Sequence, residues 1–237
     1  MLVFGFLIKG FSITASFRIP ESHTFQQTLP LPPVTTLIGL MGAAMGLSFE
    51  EVMAFKEKNR IFFGVIGSTL GEMRDLWKYN KVKTSEIRKD ILIREYLTDF
   101  SLFVGIFSEQ REDLIQIRNS FCNPKYALTL GNSDDLLKIT YISGVVNTET
   151  CQCAKFENTI LPGNMILEYE SAQDITNLPI TYKVRAPQVF LLPVSFDFNE
   201  TKRKIKERRE FTFVGSPIRL KKPIFAHKIE EYMFVLI

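Results

Sequence analysis

The run Leu29-Pro30-Leu31-Pro32-Pro33-Val34-Thr35-Thr36-Leu37-Ile38-Gly39-Leu40-Met41-Gly42-Ala43-Ala44-Met45-Gly46-Leu47 constrains the fold more than any other stretch of this chain. Apolar residues recur at helical spacing over residues 37–47. Yet Gly39, Gly42, Ala43, Ala44 and Gly46 sit among them, and each glycine costs a helix about 1 kcal/mol relative to alanine. So many small residues make sense only where the helix lies very close to another backbone, and a sheet is the expected neighbour. Two prolines set the way in, and Thr35 is placed to accept from the exposed N–H groups of the first turn.

Strand-like runs surround this helix. Residues 2–9 and 12–18 read as two short β runs separated by a polar turn, and 60–67 (RIFFGVIG) as a strong strand. A polar, basic insertion covers 68–90, followed by apolar pieces at 91–96 and 100–107. Residues 109–121 read as an amphipathic helix with Leu114, Ile115, Ile117 and Phe121 available for its buried face. Asn123-Pro124 ends it, because the residue before a proline is pushed out of helical geometry. Strands are expected at 126–130 and 136–143, flanking Gly131-Asn132-Ser133-Asp134-Asp135, where Asn132 or Ser133 is expected to cap a short helical turn. Strand, helix, strand, strand, helix, strand is the ferredoxin-like (RRM-like) split pattern. From Gly144 onward short β runs (160–169, 182–184, 189–198 and finally 232–237) alternate with Pro, Gly and Asn. The expected architecture is α+β: a ferredoxin-like βαββαβ domain over 1–143 and a smaller β-rich C-terminal lobe over 144–237.

Bulk composition excludes more than it selects. Hydrophobic residues make up 46% of the 237 and charged residues 23%, which argues against disorder. Twenty-one Phe against one Trp point to strands with rings packed beneath them. The net charge of +3 is too small to announce a nucleic acid by itself, so such a reading rests on where the cations cluster. The first 17 residues read as a strand rather than a signal peptide, Lys9 breaking the apolar run. The longest later apolar stretch, 34–47, is too short to span a bilayer. Three cysteines, two of them in Cys151-Gln152-Cys153, are an odd number without a nearby His, so neither a disulfide framework nor a metal site is expected, and a reducing cytoplasm fits best.

The most informative polar segment is Trp77-Lys78-Tyr79-Asn80-Lys81-Val82-Lys83. In extended chain Trp77, Tyr79, Lys81 and Lys83 share a face. That face offers two rings for bases and two cations for phosphates, the pairing single-strand binders use. Arg74, Arg88 and Lys89 add to the charge. The competing reading is a solvated hairpin whose aromatics pack down on the body. A second cluster, Lys202-Arg203-Lys204-Ile205-Lys206-Glu207-Arg208-Arg209, reads alone as a solvated face, but beside the first it concentrates positive charge as backbone binding requires. Catalytic signals are poor. No nucleotide-binding glycine motif, zinc-protease helix, calcium loop or serine-hydrolase elbow occurs, and no cofactor is expected. Of the two histidines, His227 reads as structural. His23 is the one candidate for acid–base work on RNA, with Lys9 or Tyr79 as conceivable partners in space.

Ser16-Phe17-Arg18, the Pro-rich opening into Thr35-Thr36 and the small-residue helix, and the later Tyr126-Ala127-Leu128-Thr129-Leu130-Gly131-Asn132-Ser133 together resemble CRISPR-associated protein five, a family of the RAMP superfamily. The likeness is good over the first 140 residues and loose beyond. It implies a ferredoxin-like domain with an inserted β-hairpin thumb, which falls at 71–90 here, and a smaller C-terminal β lobe. It also implies a non-catalytic subunit of a type I, Cascade-type complex that caps the 5′ handle of the guide RNA and touches the backbone and large subunits. On that reading the RNA contacts come from Arg18, Thr35, Thr36, the thumb residues Arg74, Trp77, Lys78, Tyr79, Lys81, Lys83, Arg88 and Lys89, and Lys202, Arg203 and Lys204. In one subtype the family member is itself the repeat-processing, metal-independent endoribonuclease, using Tyr, Lys and His; the Lys-His pair of that constellation is missing here. A third reading, outside the family, is a protein-interaction module whose basic loops bind acidic partners.

Overall fold

Strand β1 (Phe4–Ala15) lies next to one edge of the larger of the two sheets among the described residues, flanked by β5 (Glu86–Ser108) and β6 (Lys138–Ile142). The computed structural model describes residues 3–23, 25–83, 86–172, 184–199 and 202–237, with the side chains of 81–88 and of 202 outside the described set. The expected strand at 182–184 lies largely outside these residues. Strand β3 (Phe62–Ser68) completes the central set on the far side of β5. Both β1 and β3 pair antiparallel with β5 and are joined through α1 (Val34–Met45) and α2 (Phe49–Lys58). Both β5 and β6 are antiparallel to β1 and are joined through α3 (Arg111–Cys122). Two interleaved β-α-β units with strand order β3-β5-β1-β6 make the ferredoxin-like core.

The small residues of α1 answer to neighbours other than a sheet, except Gly39, where a Cβ would meet nothing within 4 Å. A Cβ on Gly42 would stand 3.0 Å from Val52 of α2 and 3.2 Å from the Leu47 carbonyl, so the close approach is helix to helix. Gly46 takes a left-handed φ of 78° as the C-cap. The Ala43 and Ala44 carbonyls accept from the N–H groups of Tyr126 and Lys125, both at 3.1 Å. The sheet is met by the larger residues, with Leu37, Ile38 and Met41 in the main core. Thr35 does not cap the helix: Pro33 is the N-cap, and its carbonyl takes the N–H groups of Thr36 and Leu37. Helix α2, unforeseen from the pattern, starts at a reciprocal Ser48–Glu51 capping box. No single described helix is long and apolar enough to cross a membrane.

Three other expectations change. Gly10-Phe11 is not a turn; β1 continues through it, with a register shift against β6 between Lys9 and Gly10, and a Cβ on Gly10 would lie 2.6 Å from Leu137. Residues 126–130 form no strand, only an isolated Thr129–Leu136 bridge. The turn between them is organised by Asp135 rather than by Asn132 or Ser133. Its buried carboxylate accepts from Thr14 Oγ1 at 2.6 Å and from the Asn132 N–H at 3.0 Å. Gly131 has φ 123°, and a Cβ there would fall 1.8 Å from the Ser16 carbonyl oxygen, so this turn presses directly on the chain leaving β1.

The later residues serve both sheets. Strands β7 (Val146–Asn147), β9 (Thr159–Pro162), β11 (Gln188–Asn199) and β12 (Lys202–Val214) extend the first sheet; β8 (Glu149–Phe156), β10 (Tyr169–Ser171), β13 (Ile218–Ile229) and β14 (Tyr232–Phe234) build the second. Thus the basic run 202–209 opens a thirteen-residue strand instead of a loop. The seam between the sheets is smooth on one side, where the paired glycines Gly64 and Gly105 leave room for Phe234 and Phe107.

Candidate nucleic-acid interface

Strand β5 is 23 residues long, and only its second half lies in the core sheet. Its first half pairs with β4 (Gly71–Lys83) from Lys83↔Glu86 to Gly71↔Thr98, forming a hairpin arm. The junction is marked by Asp99 at φ 47°, a left-handed residue inside the strand. There Thr69 Oγ1 donates to the Thr98 carbonyl at 2.6 Å and the Leu70 N–H reaches the same oxygen at 3.1 Å. The two apolar pieces expected at 91–96 and 100–107 are therefore one strand, divided by this bend. A short strand, β2 (Phe25–Gln26), lies parallel along the arm at Ile93 and Arg94.

On one face of the arm, register brings together Met73 with Tyr96, Asp75 with Arg94, Trp77 with Leu92, and Tyr79 with Asp90. The Arg94 guanidinium lies over the Tyr96 ring at 5.0 Å and over the Trp77 ring at 4.6 Å. Trp77 and Tyr79 stack at 6.3 Å and 26°, and the Tyr79 hydroxyl donates to Asp90 at 3.1 Å. The result is a ladder, Tyr96–Arg94–Trp77–Tyr79, running outward along the arm. Arg94 is only 9% exposed; it holds Asp75 at 3.3 Å and leaves Nε without a partner. Burial also pushes the Tyr96 phenol up, against the opposing pull of Arg94. Trp77, 46% exposed, is the large ring that this ladder offers to solvent. The two expected rings do share a face, but they stack on each other and on a cation first. Lys78 and Lys89 are exposed, and Arg74 pairs with Glu95 at 3.2 Å. Lys81 and Arg88 pair through their backbones and Lys83 pairs with Glu86; the side chains of Lys81, Lys83 and Arg88 lie outside the described residues.

The second cluster is less open than its composition suggests. Arg203 lies between the Phe49 and Phe196 rings, 4.9 and 4.7 Å from their centres, and so helps pin β12 to α2. Lys204 is exposed, and the Lys202 side chain lies outside the described residues. Arg208 binds Glu21 at 2.7 Å, tying the loop that carries Arg18 and His23 to β12. Exposed Arg18 donates to the Ser22 carbonyl at 3.2 Å, closing that loop on itself. Thr35 and Thr36 sit half-buried in the first turn of α1.

The three residues considered for acid–base chemistry do not converge. Lys9 binds Glu230 at 3.3 Å and Glu231 at 3.6 Å, and its ammonium lies over the Tyr141 and Tyr232 rings. Its pKa is raised: partial desolvation works against the charge, but the Glu230 hydrogen bond and the field of Tyr232 and both carboxylates outweigh it. Lys9 pairs with Phe103 and Tyr79 with Asp90, partners thirteen residues apart on β5. At about 3.3 Å per residue that is roughly 40 Å along the strand. His23 sits exposed in the 19–23 loop. Among the described residues no three His, Cys, Asp or Glu side chains group to hold a metal ion.

Arg94, Asp75 and Asp90 were missed from sequence because each is ordinary in isolation; the signal lay in the cross-strand register, which places them opposite Asp75, Arg94 and Tyr79.

Fold and site define an α+β protein of ferredoxin-like topology bearing a cationic, aromatic hairpin arm. The chain matches the family described as CRISPR-associated protein (Cas_Cas5) over residues 7–208, and it belongs to that family. Among solved structures, a chain of a CRISPR RNA-guided surveillance complex is similar in fold, with TM-score 0.56 and 16% identity over 92% of this chain and 91% of that one. A CRISPR protein from Archaeoglobus fulgidus is similar at TM-score 0.49 and 10% identity, over 98% of both chains. A Cas protein crystal structure shares 21% identity over 56% of this chain and 58% of that one, at TM-score 0.38. Comparison with curated proteins finds no match.

Proposed function

We propose that this chain is a guide-RNA-binding subunit of a type I, Cascade-type CRISPR surveillance complex, working in the cytoplasm in antiviral defence. It caps the 5′ handle of the guide and meets the backbone and large subunits of the complex. The observation that carries this reading is the Tyr96–Arg94–Trp77–Tyr79 ladder on an arm standing outside the core sheet, in a chain of this family. A base laid against the outer end of the ladder extends a stack that is already assembled, so little ordering cost remains to be met on binding. Lys78 and Lys89 on the arm, and Lys204 on β12, supply sequence-independent attraction for phosphates.

The subunit is non-catalytic in this reading, because Lys9 is clamped between two rings and two carboxylates far along β5 from Tyr79. General acid–base cleavage needs such groups within hydrogen-bond reach of the reacting oxygens. Incubating the purified protein with repeat RNA, with and without EDTA, tests this. Retarded but intact RNA on a gel is expected. Specific, EDTA-resistant cleavage at the 5′ edge of the handle, abolished by His23→Ala, would instead make it a metal-independent endoribonuclease.

A further inference from the structure

Three sulfur-bearing side chains share one face of the second sheet. Strands β8 and β14 border opposite edges of β13, since both pair with His227 and Lys228. Register sets Cys153 opposite Ile224, Cys151 opposite Ala226, and Met233 opposite Lys228. Alternation along β13 puts these three rows on the same face. Ala226 is fully buried and has no side chain beyond Cβ. Across it the Met233 thioether reaches Cys151, with Sδ and Sγ 4.0 Å apart. Cys153 and Met233 pack against the apolar cluster that holds Ala226 and Val235, whereas Cys151 is exposed.

We propose that Cys151, Cys153 and Met233 form a binding site for one soft monovalent metal ion of the copper(I) kind, held by two thiolates and a thioether. An ion about 2.3 Å from three sulfurs in one plane keeps them about 4.0 Å apart, the separation that Cys151 and Met233 already have. The donor set chooses the ion: thiolates with a thioether favour copper(I), while zinc takes thiolate, imidazole or carboxylate. Glu149 continues the same face, but among the described residues no three His, Cys, Asp or Glu side chains come together. The third donor is therefore the thioether. Cys153 now donates to the Lys155 carbonyl at 3.2 Å. A thiolate has no proton to donate, so the deprotonation that binding requires also frees this sulfur to turn toward Cys151. A disulfide fits less well. Residues two apart on a strand are separated by about 6.6 Å, and a disulfide needs Cβ atoms about 3.5–4.5 Å apart. An ion spans that gap without moving the backbone. Both thiol protons pass to water, so affinity falls as pH drops. No residue of the arm takes part, and the site stands whether or not the arm binds RNA.

The test titrates the reduced full chain, without oxygen, into copper(I) held as its coloured bicinchoninate complex, and follows the loss of colour. Cys122→Ser is present throughout to remove the remaining exposed thiol. Uptake of one ion per chain is expected, and its abolition by Cys151→Ser with Cys153→Ser. Even outer-shell partners of a metal cost about 10–100-fold in affinity when lost, so Met233→Leu, which keeps the volume, should weaken uptake at least roughly tenfold. X-ray absorption of the copper-loaded Cys122→Ser chain counts the ligands without further substitution, and three sulfurs are expected. No uptake, half an ion per chain in a bridged dimer, uptake that survives the double serine variant, or two sulfurs around the ion would each overturn the proposal, as would a folded Met233→Leu variant with unchanged affinity.

Discussion

Single residues in this protein hold positions that their type alone does not advertise. His227 is buried on β13, with Nδ1 3.2 Å from Thr148 Oγ1 and 3.4 Å from Thr150 Oγ1, and its ring is 5.6 Å from that of Phe107. Burial lowers its pKa below the ordinary 6.5. Below about pH 6.5 the unfolded chain therefore binds the proton that the folded one resists. Stability should fall as pH drops through that range, and His227→Gln should flatten the fall in a series of melting curves between pH 7.5 and 5.5. Equal slopes for variant and wild type would remove His227 as a cause. Gly131 is the second such residue. With φ 123° and the Ser16 oxygen 1.8 Å from a notional Cβ, Gly131→Ala combines backbone strain with a clash against main chain. A loss of at least about 2 kcal/mol is expected in denaturant unfolding; a variant as stable as wild type would show that the turn relaxes freely.

Elements were legible where one pattern decided them and obscure where partners did. The central strands, α1 and α3 follow from apolar spacing and from the stop at Asn123-Pro124. Helix α2 was passed over because its mean character is polar, although Ser48 and Glu51 carry a capping box that reads directly from sequence. Strand β12 hid behind its charge: Lys202 to Arg209 looks like a solvated run, yet Phe49 and Phe196 bury one face of Arg203. Composition shows a basic insertion and the family resemblance implies a hairpin over 71–90, but the arm's return strand reaches Thr98, and Arg94 lies in that unforeseen part, where nothing in one strand shows what its partner sets opposite. Arg94 is accordingly the arm's most informative variant. Arg94→Met removes two cation–π contacts, each worth about 0.5–2 kcal/mol, together with the ion pair to Asp75, and leaves the sheet core untouched. Trp77 is the only tryptophan of the chain, so its fluorescence reports the ladder alone. Greater quenching by acrylamide in the variant, with an unchanged far-ultraviolet spectrum, is expected; identical quenching would mean that Arg94 does not shield the indole.

At the scale of the whole molecule, the proposed reading makes the ferredoxin-like core a platform and the arm the part addressed to a ligand. The two faces of the hairpin differ in character, with rings and a buried cation on one and aliphatics among lysines on the other. Exposed cations lie on the arm and along β12, so affinity for RNA should decline steeply between low and physiological salt. The account's central claim, that the ladder receives single-stranded guide RNA, is tested most directly by fluorescence-anisotropy titration of labelled 5′-handle RNA against wild type and the Trp77→Ala, Tyr79→Ala double variant. The predicted result is a weakening of roughly 1–3 kcal/mol per stacked base, with an unchanged far-ultraviolet spectrum. Equal affinity of the folded variant and wild type would contradict it.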